Sequence, residues 1–65
     1  MKIYIKKPIT VAEKAFAKNN GYKIIFSKGK DKFSAFCLNR KNLDAHIDSF
    51  VKKGWKVVKV YKLVK

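Results

Sequence analysis

The sequence predicts an α+β domain of order βαββαβ. Three observations carry this. Two segments have helix-start signals at one end and a glycine at the other, Thr10 to Gly21 and Asn42 to Gly54. The segments flanking them are rich in Ile, Val, Phe and Tyr, residues that suit a pleated sheet. Between the two helical segments, Lys28-Gly29-Lys30-Asp31 is a turn, with Gly29 free to adopt positive φ.

The first strand is expected over Lys2–Lys6. Ile3 and Ile5 would share one face, and Lys2, Tyr4 and Lys6 the other. Pro8 ends it, because it cannot donate to a sheet ladder. Thr10 then caps the first helix, and Glu13 stands at N3, the spacing of a capping box. This helix has a thin apolar side, Ala12, Ala15 and Phe16, so it should be the weaker of the pair and lean close to the sheet. Gly21 is expected to be its left-handed C-cap.

Tyr22–Ser27 and Lys32–Leu38 form the next two strands, and their short connection makes them an antiparallel hairpin. The second helix is expected to start at an N-cap, Asn42. Leu43, Ile47, Phe50 and Val51 then form a broad apolar stripe. Gly54 stops it, and Trp55 takes the position where a Schellman motif makes its apolar contact with Phe50.

Trp55–Val64 reads as the last strand, with a terminal helix as a minor alternative. Lys56, Lys59, Lys62 and Lys65 recur every third residue, which fits neither a strand nor a helix period. A bulge near Val58–Lys59 would resolve this by switching which face is apolar; a strand projecting beyond the domain would do so too. The end of the first helix, Phe16 to Ile25, echoes the end of the second, Phe50 to Val58, with one residue dropped. Either two similar βαβ units meet at the hairpin, or both helix ends use the same cap chemistry. Two such units, with right-handed crossovers, would put both helices on one face of a four-stranded antiparallel sheet, a ferredoxin-like split sandwich.

Size implies one domain spanning residues 1–65. A chain this short buries roughly 60% of its unfolded surface and gains only a few kcal/mol of stability. Hydrophobic residues at 48% and aromatics at 14% exclude a disordered basic tail. Seventeen Lys/Arg against four Asp/Glu give a formal charge of +13, spread from Lys2 to Lys65. A field of this sign attracts phosphate polyanions or an acidic protein surface, and its self-repulsion weakens the fold. Sixteen of these residues are lysines, which act as flexible point charges, and only Arg40 offers a planar fork. Contacts to a nucleic-acid backbone therefore fit better than direct reading of bases.

Catalytic and metal chemistry find no support. Cys37 is the only cysteine and lies in the apolar run Phe36-Cys37-Leu38, so it reads as a buried structural thiol in a reducing compartment. His46 is the only histidine and has no partner set for proton transfer or zinc. Glu13, Asp31, Asp44 and Asp48 each have a local structural role. The three glycines are spaced as caps and a turn rather than as a phosphate loop. The N-terminus lacks the apolar core of a signal peptide, and no stretch is long enough to span a membrane. The expectation is a cytoplasmic, non-enzymatic protein with no cofactor.

Basic and aromatic residues interleave, as in Lys2-Ile3-Tyr4, Tyr22-Lys23, Lys32-Phe33 and Tyr61-Lys62. Lysines attract phosphates, and exposed rings can stack on unpaired bases. The competing explanation is ordinary amphipathic strands, with rings facing the core and lysines facing water. Tyr4 stands apart because Ile3 and Ile5 already claim the core face. The segment Ile3-Tyr4-Ile5 and the element order resemble RNA-recognition-motif domains, and the resemblance implies that Tyr4 stacks on a base. The chain departs from that pattern at Lys6-Lys7-Pro8, and its third strand has Phe33 and Phe36 three apart rather than two.

The leading expectation is therefore a nucleic-acid-binding domain, for single-stranded DNA or RNA, with weak sequence selectivity. Lys2, Lys6, Lys23, Lys32, Lys56, Lys59 and Lys62 would contact phosphate, and Tyr4, Phe36 and Tyr61 would stack. The alternative is a small protein-interaction or regulatory module. It would dock to an acidic protein surface or self-associate through the final strand. Neither helix has the broad aromatic or leucine face with a basic flank that marks a membrane-surface anchor.

Overall fold

Alternation of apolar residues, two capped helices and one tight turn produce the order β1 (Ile3–Lys6), α1 (Val11–Ala17), β2 (Tyr22–Lys28), β3 (Asp31–Cys37), α2 (Arg40–Lys52) and β4 (Lys56–Leu63). The computed structural model describes residues 2–64. The α+β class and the element order agree with the sequence. The sheet does not match the antiparallel split sandwich. It is mixed, in the order β1-β4-β2-β3, with β1 parallel to β4 and the other pairs antiparallel. The last strand is therefore central, and the edges are β1 and β3.

The two helices lie on opposite faces. Tyr22, Ile24 and Phe26 of β2 join Cys37, Leu43 and Val60 in the main core, with Ile47 and Phe50 of α2 packed against them. The residues between them in β2, Lys23 and Ile25, point the other way. Register carries that second face across the sheet: Lys23 pairs with Phe36 and with Tyr61, and Tyr61 with Tyr4. It is α1 that covers one end of this second face. Its Phe16 stacks on Phe36 at 4.9 Å, and its Glu13 bonds Lys23.

The expectation of both helices on one face fails for a specific reason. The right-handed crossover rule applies to parallel strands. β3 and β4 are parallel with β2 between them, so β3-α2-β4 is such a unit. β1 and β2 are antiparallel, each being defined against β4, so the rule does not constrain α1.

The caps explain the helix limits. Thr10 Oγ1 accepts from Glu13 N–H and Glu13 Oε1 accepts from Thr10 N–H, the expected capping box. The second helix starts three residues before the sequence expectation: Asn39, not Asn42, is the N-cap, and its side chain accepts from Asn42 N–H at 2.8 Å. Asn42 sits inside the helix, where its side chain is not needed for capping.

Gly21 is not the left-handed residue after α1. Asn20 takes that conformation at φ 55°, while Gly21 N–H donates to Phe16 O and Asn20 N–H to Ala17 O. Gly21 is required for closeness instead: a Cβ there would meet Phe16 O at 2.8 Å and Cys37 O at 2.9 Å. At the end of α2 the same bonds recur, Trp55 N–H to Phe50 O and Gly54 N–H to Val51 O, with Gly54 at φ 94°. The echo between the two helix ends is thus shared Schellman chemistry, aligned without a gap, Phe16 on Phe50 and Asn20 on Gly54. Trp55 packs edge-on against Phe33, whose ring also meets Phe50.

The bulge in the last strand is present. Ile25 pairs with Lys59 and Phe26 with Val57, so Val58 is the extra residue. Val57 and Val60 both face the main core as a result, while Lys56 and Lys59 face the opposite side. This accounts for the three-residue lysine spacing as far as Lys59; beyond the bulge Lys62 turns to the core-side face, outside the helix cover. Lys65 lies outside the described residues.

Candidate nucleic-acid interface

The second face divides into a covered end and an open end. At the covered end, Glu13 is fully buried and satisfied by four donors. Its Oε2 accepts from Lys6 Nζ at 2.7 Å and Lys23 Nζ at 2.9 Å, and its Oε1 accepts from Ile9 and Thr10 N–H. The two ammonium groups hold its carboxyl far below the usual carboxylate range, against the opposing effect of burial. Leu63 and Ala17 are buried beside it.

The open end is built by β1, β4 and the hairpin. β1 runs parallel to β4, so Lys2 and Tyr4 lie beside the first half of β4. Tyr4 is 40% exposed. Lys2 Nζ is 5.4 Å and Lys59 Nζ 5.6 Å from its ring centroid, and the Tyr61 ring is 6.2 Å away at 52°. Such exposed cation–π contacts are worth about 0.5–1 kcal/mol each, so either ammonium can leave the ring for a phosphate. The bulge and β1 bound a shallow cleft lined by Lys2, Tyr4, Val57, Val58, Lys59 and Val60.

From Tyr4 the face continues across the sheet. Register sets Lys56 beside Ser27, and Ser27 beside Lys32. Neighbouring strands are about 4.8 Å apart, so the sheet is roughly 14 Å wide from β1 to β3. Among the described residues, Lys2, Lys32, Lys56 and Lys59 have no carboxylate at ion-pair distance.

The ten residues singled out from sequence therefore separate into groups. Lys2, Tyr4, Lys59 and Tyr61 come together, and Lys56 and Lys32 extend the same face. Lys6 and Lys23 share it but are held by Glu13. Phe36 is on it too, but its ring is stacked under Phe16, with Lys23 Nζ 5.9 Å from its centroid. Lys62 pairs with Tyr22 and Ile5 and so belongs to the other face.

Two contributors escaped the sequence reading. Ile25 sits at the middle of the open face, half-buried, and its alternation with Lys23 and Ser27 was the available signal. Val58 is 50% exposed at the bulge; the lysine spacing located the bulge there but did not mark Val58 as part of the open face.

Elsewhere the chemistry is structural. Cys37 is buried in the core, where desolvation pushes its thiol pKa up, opposite to what a reactive thiolate needs. His46 Nδ1 lies 2.9 Å from Asn42 O. Among the described residues no group of three metal-binding side chains gathers, and no helix is long and apolar enough to cross a membrane. No family model matches this chain, and no curated protein or solved structure matches it.

Proposed function

We propose that this chain is a non-enzymatic nucleic-acid-binding domain that takes single strands, with weak sequence selectivity, on the open end of its second sheet face. The observation that carries the reading is Tyr4, an exposed ring set between Lys2 and Lys59 with Tyr61 beside it. A base stacks on Tyr4 and displaces one ammonium, which then binds the neighbouring phosphate. Lys56 and Lys32 continue the phosphate track toward the hairpin. The scarcity of arginine supports backbone contacts over base reading.

Titration of single-stranded and duplex oligonucleotides across a salt series tests the proposal. Single strands should bind more tightly, with affinity falling as salt rises. Tyr4→Ala should weaken single-strand binding by about 1–3 kcal/mol, the worth of one base–aromatic stack, and duplex binding much less, because duplex bases already stack on one another. Circular dichroism must show the variant folded. Equal binding by parent and folded variant would remove Tyr4 as a platform, and no binding at low salt would sink the proposal.

A further inference from the structure

Every open sheet has two edges, and here they differ. β1 is a short edge, Ile3–Lys6, flanked by Lys2, Lys7 and Pro8. Lysines and a proline are the usual means of discouraging another strand. β3 has less of this protection, with Lys32 its one lysine. It runs Asp31–Cys37, pairs with β2 in unbroken register, contains no proline, and carries no charge from Phe33 to its end.

The hydrogen-bonding pattern shows which β3 groups are free. In an antiparallel pair, successive residues alternate between bonding the partner and pointing away. The two-residue turn closes on the pair Lys28–Asp31, which makes Asp31, Phe33, Ala35 and Cys37 the inward-bonded set. An independent bond agrees: Gly21 O accepts from Leu63 N–H, so odd residues of the β2 segment point toward β4 and even ones toward β3. Lys32, Ser34 and Phe36 thus aim their N–H and C=O outward. Among the described residues, none of these three N–H groups has a hydrogen-bond partner outside the strand ladders.

Charge selects the occupant. Lys30 and Lys32 stand at one end of this edge, and Arg40 and Lys41 just past the other. Asp31 is the acid at the first end, and at the second Arg40 Nε lies 3.8 Å from Asp44 Oδ1, which leaves Lys41 without an acidic partner among the described residues. Between the ends, Phe33 to Asn39 is uncharged. A second copy of the chain would bring another +13 against this edge.

We infer that the outer edge of β3 is a docking site for an extended segment of a partner protein, with acidic residues at its ends and an uncharged β-forming centre, added to the sheet as a fifth strand. Main-chain bonds to Lys32, Ser34 and Phe36 hold the segment, and the basic ends fix its position. The inference does not depend on nucleic-acid binding, although the two share Lys32, whose side chain lies on the second sheet face and whose main-chain groups lie on this edge.

The test uses the full chain and the synthetic peptide Glu-Glu-Val-Thr-Val-Thr-Val-Glu-Glu, with amide hydrogen exchange read by NMR. Saturating peptide should slow exchange at Lys32, Ser34 and Phe36 by about tenfold or more. Replacing the four glutamates by lysines should weaken binding by at least about tenfold. Ser34→Pro removes one outward N–H at a position where an edge strand tolerates proline, and should weaken capture by about tenfold. No protection at the three amides, equal binding of the lysine peptide, or equal binding by folded Ser34→Pro overturns the assignment. So does protection that rises with protein concentration without peptide, which would mean self-pairing. The amide readout on the parent chain stands even if Ser34→Pro does not fold.

Discussion

At the scale of single residues, Glu13 ties sequence to both fold and site. Its spacing from Thr10 announced a capping box, and the capping box formed. What the spacing did not contain was the pair of lysines, because Lys6 and Lys23 reach Glu13 only once β1, α1 and β2 are assembled. The buried carboxylate has consequences for stability. Glu13→Gln keeps an acceptor for the Ile9 and Thr10 amides but loses the charge that both ammonium groups bond. Those lysines remain partly solvated, so the cost should be that of a charged hydrogen bond, about 1.5–3 kcal/mol, measured by urea unfolding at neutral pH. The sign with pH follows from the depressed pKa. Glu13 is ionised in the folded state at acidities that protonate it in the unfolded chain. Its contribution is fully present above the ordinary carboxylate value of 4.5 and is lost as pH falls below it. Between pH 4.5 and 2.5 the parent should lose up to about 1.4 kcal/mol per pH unit through this group, and Glu13→Gln should lack that component of the slope. The same slope in both proteins would show that the Glu13 cluster does not operate in solution. The knot also bears on function, since a phosphate taking Lys6 or Lys23 would strand a buried carboxylate. It thereby confines the proposed site to the open end of the face.

At the scale of elements, the informative feature is the bulge in β4. Strict alternation would have placed Val57 and Val60 on opposite faces, and Lys56 and Lys59 likewise. One extra residue puts both valines against the core and both lysines on the second face. The irregular lysine period was a readable trace of this, and it located the bulge to within a residue. Helix ends were less legible. Asn39 and Asn42 both have side chains able to cap, and only Asn39 precedes a helical turn whose N–H groups need an acceptor. After α1, Asn20 and Gly21 both tolerate unusual backbone, and it was the close approach of Phe16 and Cys37 that reserved the second position for glycine. The bulge predicts that two changes at one position are both tolerated. Val58→Ala, at a half-exposed side chain, should cost about 0.5 kcal/mol or less. Deletion of Val58 leaves Lys56-Val57-Lys59-Val60 in strict alternation, with Val57 still opposite Phe26 and Lys59 still opposite Ile25, so it should cost little more. Were the strand regular, the same deletion would exchange the faces of Lys56 and Val57; loss of the Val57 burial alone would then be worth about 1.5 kcal/mol, and a lysine turned toward the core would add to it. Urea midpoints of the two variants decide the matter; a deletion variant far below Val58→Ala would mean that Val58 is not the extra residue.

At the scale of the whole molecule, local pattern stops being sufficient. Strand order and the side on which a helix lands are set by long-range pairing, and no periodicity within β1 or α1 reports that β1 sits at an edge, parallel to β4. The placement matters most for charge. A total of +13 is the same number whichever way the strands are ordered, but the order decides which lysines act together. Lys59 and Lys62 look equivalent in sequence, both following a valine or tyrosine in a basic strand. In the fold Lys59 reaches over Tyr4, while Lys62 pairs with Ile5 and Tyr22 and belongs to the other face. A non-specific field would treat them alike, since each substitution removes one unit of charge from an exposed side chain. A site on the second face would not. Lys59→Gln should therefore reduce the slope of log affinity against log salt for a single strand by about 0.7, the share of one phosphate contact, whereas Lys62→Gln should leave the slope within error of the parent. Both substitutions are at solvent-exposed side chains, so both proteins should fold and the comparison is internal. If the two variants lose slope equally, binding is governed by net charge rather than by the Tyr4 face. If only Lys62→Gln loses it, the polyanion lies on the side of the sheet that carries α2.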